Sequence, residues 1–82
     1  MSFREEVLEL LKNKAADMLG VDVSGLGENT RFKEDLHCKS ADIVRFTAAL
    51  EDEYEAEVPF MAFNRCVTLG DAADYMCEIM GL

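Results

Sequence analysis

Apolar residues recur in three stretches of the chain with the three-to-four spacing of a helix, and almost nowhere with the alternation of a strand. Phe3, Val7, Leu11, Ala15 and Met18 step by 4, 4, 4 and 3, which places them on one helical face. Ser2 followed by Glu5 has the form of a capping box, and Glu5 and Glu6 suit the positive end of a helix dipole. Gly20 supplies a stop. A second stripe, Ile43, Phe46, Leu50 and Tyr54, follows Ser40. Ser40 is expected to cap this helix, with Asp42 in its first turn. Pro59 prevents simple continuation, so the helix should end near residues 54–57. A third stripe, Leu69, Ala72, Ala73, Met76 and Ile79, is opened by Thr68 and Asp71 and closed by Gly81. Between the last two, residues 60–66 are short and apolar and predict one or two helical turns. Phe60 and Phe63 share a face there, and Met61 lies to the side.

Residues 21–39 show neither period. Val21, Val23, Leu26, Phe32 and Leu36 are scattered apolar anchors among Gly25 and Gly27. Alternation appears only in Val21-Asp22-Val23, too short to build a sheet. The pattern predicts an all-α fold: a small bundle of three main helices plus one short helix, with a long loop between the first and second helices. Residues 1–82 should form a single domain. A long irregular segment in so small a domain is unusual, and such segments are often functional.

Charge narrows the classes of function. Eight basic residues face 17 acidic ones, for a net charge of −9 over 82 residues. Residues 1–41 hold eight acids and six bases, and residues 42–82 hold nine acids and two bases, Arg45 and Arg65. This balance argues against nucleic acid, whose phosphates attract Lys and Arg, and against docking on anionic lipid. It favours partners that present basic surfaces. The longest apolar runs are only a few residues, so no membrane insertion is expected, and no signal-peptide pattern opens the chain. The expectation is a cytoplasmic monomer. Three cysteines, Cys38, Cys66 and Cys77, contain no CxxC pair and do not indicate a disulfide framework.

Candidate chemistry is sparse. The lone histidine, His37, stands beside Cys38 and close to Ser40. A nucleophile and its base must face one another, with a third group orienting the base, and neighbours in one loop rarely do so. No catalytic residue is expected. His37, Cys38, Cys66 and Cys77 lack the spacing of a zinc site, no calcium-loop pattern is present, and no metal is expected. Cys77, within the last helix, reads as a small apolar filler. Ser40 as an ordinary helix cap is the plain reading of the serine.

The segment around that serine changes the picture. Thr30-Arg31-Phe32-Lys33-Glu34-Asp35-Leu36-His37-Cys38-Lys39-Ser40-Ala41 resembles the modification segment of the acyl carrier protein family. That family commonly shows Phe, two residues, Asp-Leu, two residues, then Asp-Ser-Leu, and Phe32, Asp35, Leu36 and Ser40 match in type and spacing. Residues 49–54, Ala-Leu-Glu-Asp-Glu-Tyr, resemble the end of the family's second helix. Glu57-Val58-Pro59 is similar to its Glu-Ile-Pro, and Thr68-Leu69-Gly70-Asp71-Ala72 to the start of its last helix. The likeness covers nearly the whole chain without an insertion.

What the resemblance implies is a carrier, not an enzyme. Ser40 would bear covalent 4′-phosphopantetheine, and the distal thiol would hold an acyl group as a thioester for delivery to enzymes of fatty-acid or specialised lipid biosynthesis. A phosphopantetheinyl transferase, an acyl-loading enzyme or synthase, and an acyltransferase would be the partners. Asp35, Asp42, Glu51, Asp52 and Glu53 would make electrostatic contacts with them. Departures from the family pattern cluster on the same expected surface: Lys39 and Ala41 in place of Asp and Leu, Arg45 where an acid is common, and Phe60-Met61-Ala62-Phe63 in place of an acidic segment. Lys39, Ala41, Arg45 and Met61 are therefore counted with the partner-binding residues. Phe60, Met61 and Phe63 are expected to fill the core, to line an acyl pocket, or to expose a patch for one partner. The other readings are a peptidyl or aminoacyl carrier, and an unmodified helical interaction module.

Overall fold

The computed structural model describes all 82 residues. Four α-helices follow in order: α1 Phe3–Leu19, α2 Ser40–Tyr54, α3 Phe60–Phe63 and α4 Leu69–Ile79. Strands are absent apart from one isolated antiparallel bridge between Arg31 and Thr68. No helix is long and apolar enough to cross a membrane.

Local chemistry sets the ends of the long helices. At α1 the Ser2 hydroxyl accepts the Glu5 N–H at 3.2 Å and the Glu5 carboxylate accepts the Ser2 N–H at 3.5 Å, so both halves of the capping box form. Gly20 closes the helix at φ 70°, and its N–H donates to Ala16 O. That is a left-handed cap, which glycine adopts without a Cβ penalty. At α4 the Thr68 hydroxyl accepts the Asp71 N–H at 3.0 Å, and the Asp71 carboxylate accepts the Thr68 N–H at 3.1 Å.

The apolar stripes meet in one core. Val7, Leu11 and Ala15 of α1, Ile43, Phe46 and Leu50 of α2, Phe63 of α3 and Leu69, Ala72, Ala73 and Met76 of α4 are buried together. Phe32, Leu36 and Cys38 of the connecting loop and Val58 join them. Phe32 stands edge-on to Phe46 at 5.3 Å between ring centroids, and tilted to Phe63 at 5.6 Å. The long connection is thus a structural member of the core. It contains a 3-10 turn, Val23–Gly25, which the sequence pattern did not indicate: the Asp22 carboxylate accepts the Ser24 N–H at 2.9 Å and nucleates it. Backbone bonds tie the loop to the start of α4, from Phe32 N to Val67 O, Leu69 N to Thr30 O and Gly70 N to Glu28 O. Gly70 is required there. A Cβ on it would stand 2.8 Å from Glu28 O, closer than packed atoms allow. Across the same junction the Arg4 guanidinium reaches Asp74 at 2.6 Å and Glu28 at 3.5 Å.

Candidate functional site

The site is built at the junction of the long loop and α2. His37 adopts a left-handed backbone, φ 55°, one of the residue types that tolerates it best. This turn leaves His37 exposed between two buried neighbours, Leu36 and Cys38. Cys38 N donates to Phe32 O at 2.9 Å, which fixes the last loop residues before the helix. The Cys38 thiol is 8% exposed, and burial, with the Asp42 carboxylate nearby, pushes its pKa up to about 11. It is a packed, inert thiol. Cys66 behaves alike, its pKa raised by burial to about 11. Cys77, expected as a buried filler, is instead only half-buried and lies outside the core cluster, because α4 turns that position toward its rim.

Ser40 is exposed and is the first residue of α2. The expected serine cap is therefore displaced by one residue: the cap is Lys39, whose ammonium has no acceptor to offer. Capping falls to Asp42, whose carboxylate accepts the Lys39 N–H at 3.0 Å. Asp42 N and Ile43 N both donate to Lys39 O, while the N–H groups of Ser40 and Ala41 donate to nothing within the chain. A free hydroxyl, two free amides at the positive end of a 15-residue helix and the adjacent Lys39 ammonium form a donor set that suits a phosphodiester. The residues present fit a phosphopantetheinyl group.

The other sequence-designated residues divide into three groups. Lys39, Ala41 and Arg45 are exposed around Ser40, and Val44, half exposed at 50%, extends an apolar stripe with Ala41 and Ala48 along the open side of α2. Asp52, Glu53 and Met61 are also exposed, Met61 at 70%. Asp35, Asp42 and Glu51 have partners inside the chain. Asp35 accepts the Arg31 N–H at 2.8 Å and faces its guanidinium, which together hold its carboxyl below the usual range. Glu51 accepts the Val58 N–H at 2.9 Å and so anchors the chain that leaves α2.

Three surface grooves mark the molecule. The largest, about 660 Å³, runs between α1 and α2 past Leu10, Lys14, Val23, Ala49 and Glu53. Nine residues separate Ala49 from Ser40, which puts them on opposite sides of α2. Phe60, Met61 and Phe63 line no groove. Phe63 is fully buried against Phe32, Phe60 is half-buried against the core, and only Met61 projects.

A small helical bundle that offers a free serine at a helix N-terminus has the form of a carrier domain. The family described as "Phosphopantetheine attachment site" matches residues 9–76. An acyl carrier protein of Lactobacillus acidophilus is 40% identical over 77 residues, covering 94% of this chain and 96% of that one. The acyl carrier protein of Rubrobacter xylanophilus is 36% identical over 75 residues, 92% and 93% of the two chains. The solved structure of the acyl carrier protein from Enterococcus faecalis superposes with a TM-score of 0.77 at 26% identity, covering 95% of this chain and 99% of that one. The chain belongs to the acyl carrier protein family, and it carries acyl groups on covalent 4′-phosphopantetheine.

Proposed function

We propose that Ser40 is the attachment residue and that residues 1–82 act as one non-catalytic carrier domain. The observation that carries this reading is the exposed Ser40 hydroxyl in the first turn of α2, beside the unengaged amides of Ser40 and Ala41. Once bound, the prosthetic group supplies a thiol that holds the acyl chain as a thioester. Ser40 Oγ provides the ester oxygen. The Ser40 and Ala41 N–H groups and the Lys39 ammonium stabilise the phosphate charge. The buried Phe32, Leu36 and Cys38 hold the loop so that Ser40 stays accessible.

The partners are a phosphopantetheinyl transferase, an acyl-loading enzyme or synthase and an acyltransferase, met by a monomeric, cytoplasmic carrier. Ala41, Val44 and Met61 supply the exposed apolar contacts. Asp52 and Glu53 face basic partner surfaces, and Lys39 and Arg45 set orientation. Asp35, Asp42 and Glu51 contribute field more than contact, since each is already engaged. Exposed charges of this kind govern encounter rate and register more than affinity, which suits a protein that must leave each partner.

The test is mass spectrometry after incubation with coenzyme A and a phosphopantetheinyl transferase. The wild-type chain should gain the mass of one phosphopantetheinyl group, and Ser40→Ala should gain nothing while keeping its helical spectrum. Modification of the Ser40→Ala chain would move the site elsewhere.

A further inference from the structure

The chain is acidic almost throughout, yet the loop before Ser40 meets the turn after α3 in a cluster of cations. One surface pocket of about 230 Å³ is walled by Arg31, Lys33, Glu34, Asn64, Arg65 and Val67, with Cys66 between the last two. Three of the chain's eight basic residues therefore share a single pocket. The two carboxylates beside it, Glu34 and Asp35, are both held by the Arg31 guanidinium. Lys33 and Arg65 have no ion-pair partner, although the chain has 17 acids to supply one. The Val67 N–H and the Asn64 carboxamide are also unengaged within the chain. Glu34 and Asp35 offset the Arg31 charge, which leaves Lys33 and Arg65 as two like charges without counter-charges in the pocket, and an incoming anion relieves their repulsion.

We infer that this pocket is an oxyanion site, in which Lys33 and Arg65 bind a carboxylate or phosphate group, with Asn64 and the Val67 amide as further donors. Guanidinium and ammonium groups both suit such a group, the guanidinium by two parallel N–H bonds. The volume, about that of eight waters at about 30 Å³ each, admits a short acyl group or a phosphate, not a long chain. The walls are tied to the attachment segment: Phe32 N donates to Val67 O, and Cys38 N, two residues before Ser40, donates to Phe32 O. The same chemistry has two sources. One is the free carboxylate of a short dicarboxylic acyl group tethered through Ser40, and the other is free phosphate. The tethered source rests on the Ser40 reading, whereas the anion site does not.

Two arms test this. In the first, unmodified ¹⁵N-labelled protein is titrated with sodium succinate and with sodium phosphate, against sodium chloride at equal ionic strength. Saturable amide shifts at Lys33, Arg65 and Cys66, abolished in the Lys33→Ala/Arg65→Ala protein, are expected. Shifts no larger than those with chloride, or equal shifts in the double variant, would overturn the site. In the second arm the protein is loaded with a succinyl or a butyryl thioester, groups of the same carbon count that differ in the terminal carboxylate. Pocket shifts with succinyl alone assign the tethered carboxylate. Equal spectra for the two, with saturable phosphate binding in the first arm, assign the free anion. A chain that accepts no phosphopantetheine defeats the Ser40 reading and leaves the first arm decisive for the pocket.

Discussion

Phe63→Ala separates a core residue from the wall of an acyl pocket. Phe63 is fully buried, with its ring 5.6 Å from that of Phe32, which in turn packs against Phe46. Truncating a buried phenylalanine costs about 3–5 kcal/mol, from lost transfer energy and the cavity left behind. At about 0.05–0.15 kcal/mol per residue, a chain of this length has about 4–12 kcal/mol of stability in total. The substitution should therefore remove between about a quarter and all of it. At about 4–8 °C per kcal/mol for a domain of this size, Tm should fall by at least about 12 °C. Urea denaturation followed by far-ultraviolet circular dichroism measures the change, with m compared to show that the same surface is exposed. Met61→Ala is the control: its side chain is 70% exposed, and it should change stability by less than about 0.5 kcal/mol. A Phe63→Ala protein that loses less than about 1 kcal/mol at unchanged m would refute the reasoning. The ring would then border space that adjusts, as a pocket for an acyl chain must.

Gly70→Ala should destabilise the protein by about 1–3 kcal/mol, as overpacking does. The added Cβ meets Glu28 O at 2.8 Å, the same oxygen that accepts the Gly70 N–H. Alanine's advantage in a helix, about 1 kcal/mol, offsets part of this and leaves a net loss of up to about 2 kcal/mol, so a urea midpoint above that of wild type would refute the close approach. Stability should also fall as pH rises from about 8.5 toward 11. The buried Cys38 thiol and the half-buried Cys66 thiol keep their protons up to about 11 in the folded chain, while the unfolded chain releases them near the ordinary thiol pKa. The unfolded state then binds fewer protons, which lowers stability with rising pH. Urea midpoints at pH 8 and pH 10 check the sign, and Cys38→Ala/Cys66→Ala should flatten the slope.

Most of the helical frame was legible because its signals are local. Ser2 with Glu5, Thr68 with Asp71, Gly20, and the three apolar stripes each act within one or two turns, and each appears in the structure where the spacing puts it. The likeness around Phe32, Asp35, Leu36 and Ser40 was legible for a similar reason, since the loop keeps a fixed length between its anchors. Ser40 as the cap was misplaced by one residue. Cap assignment depends on where the chain enters the helix, and the left-handed turn at His37 with the Asp42 bond to Lys39 N decides that.

Period, capping chemistry and charge along the chain specify an acidic all-α bundle and its helix starts and stops, because these signals need no knowledge of distant neighbours. Ser40 was singled out instead by the likeness of its segment to the acyl carrier protein family. The tertiary structure alone decided that Phe63 packs inward while Met61 projects, and that Glu51 is committed to Val58. It alone brought Lys33 and Arg65, 32 positions apart in the sequence, to one pocket. The placements of Phe63 and of Lys33 with Arg65 depend on how the loop before Ser40 bonds to the segment before α4, a contact between residues far apart in the chain that no local pattern encodes.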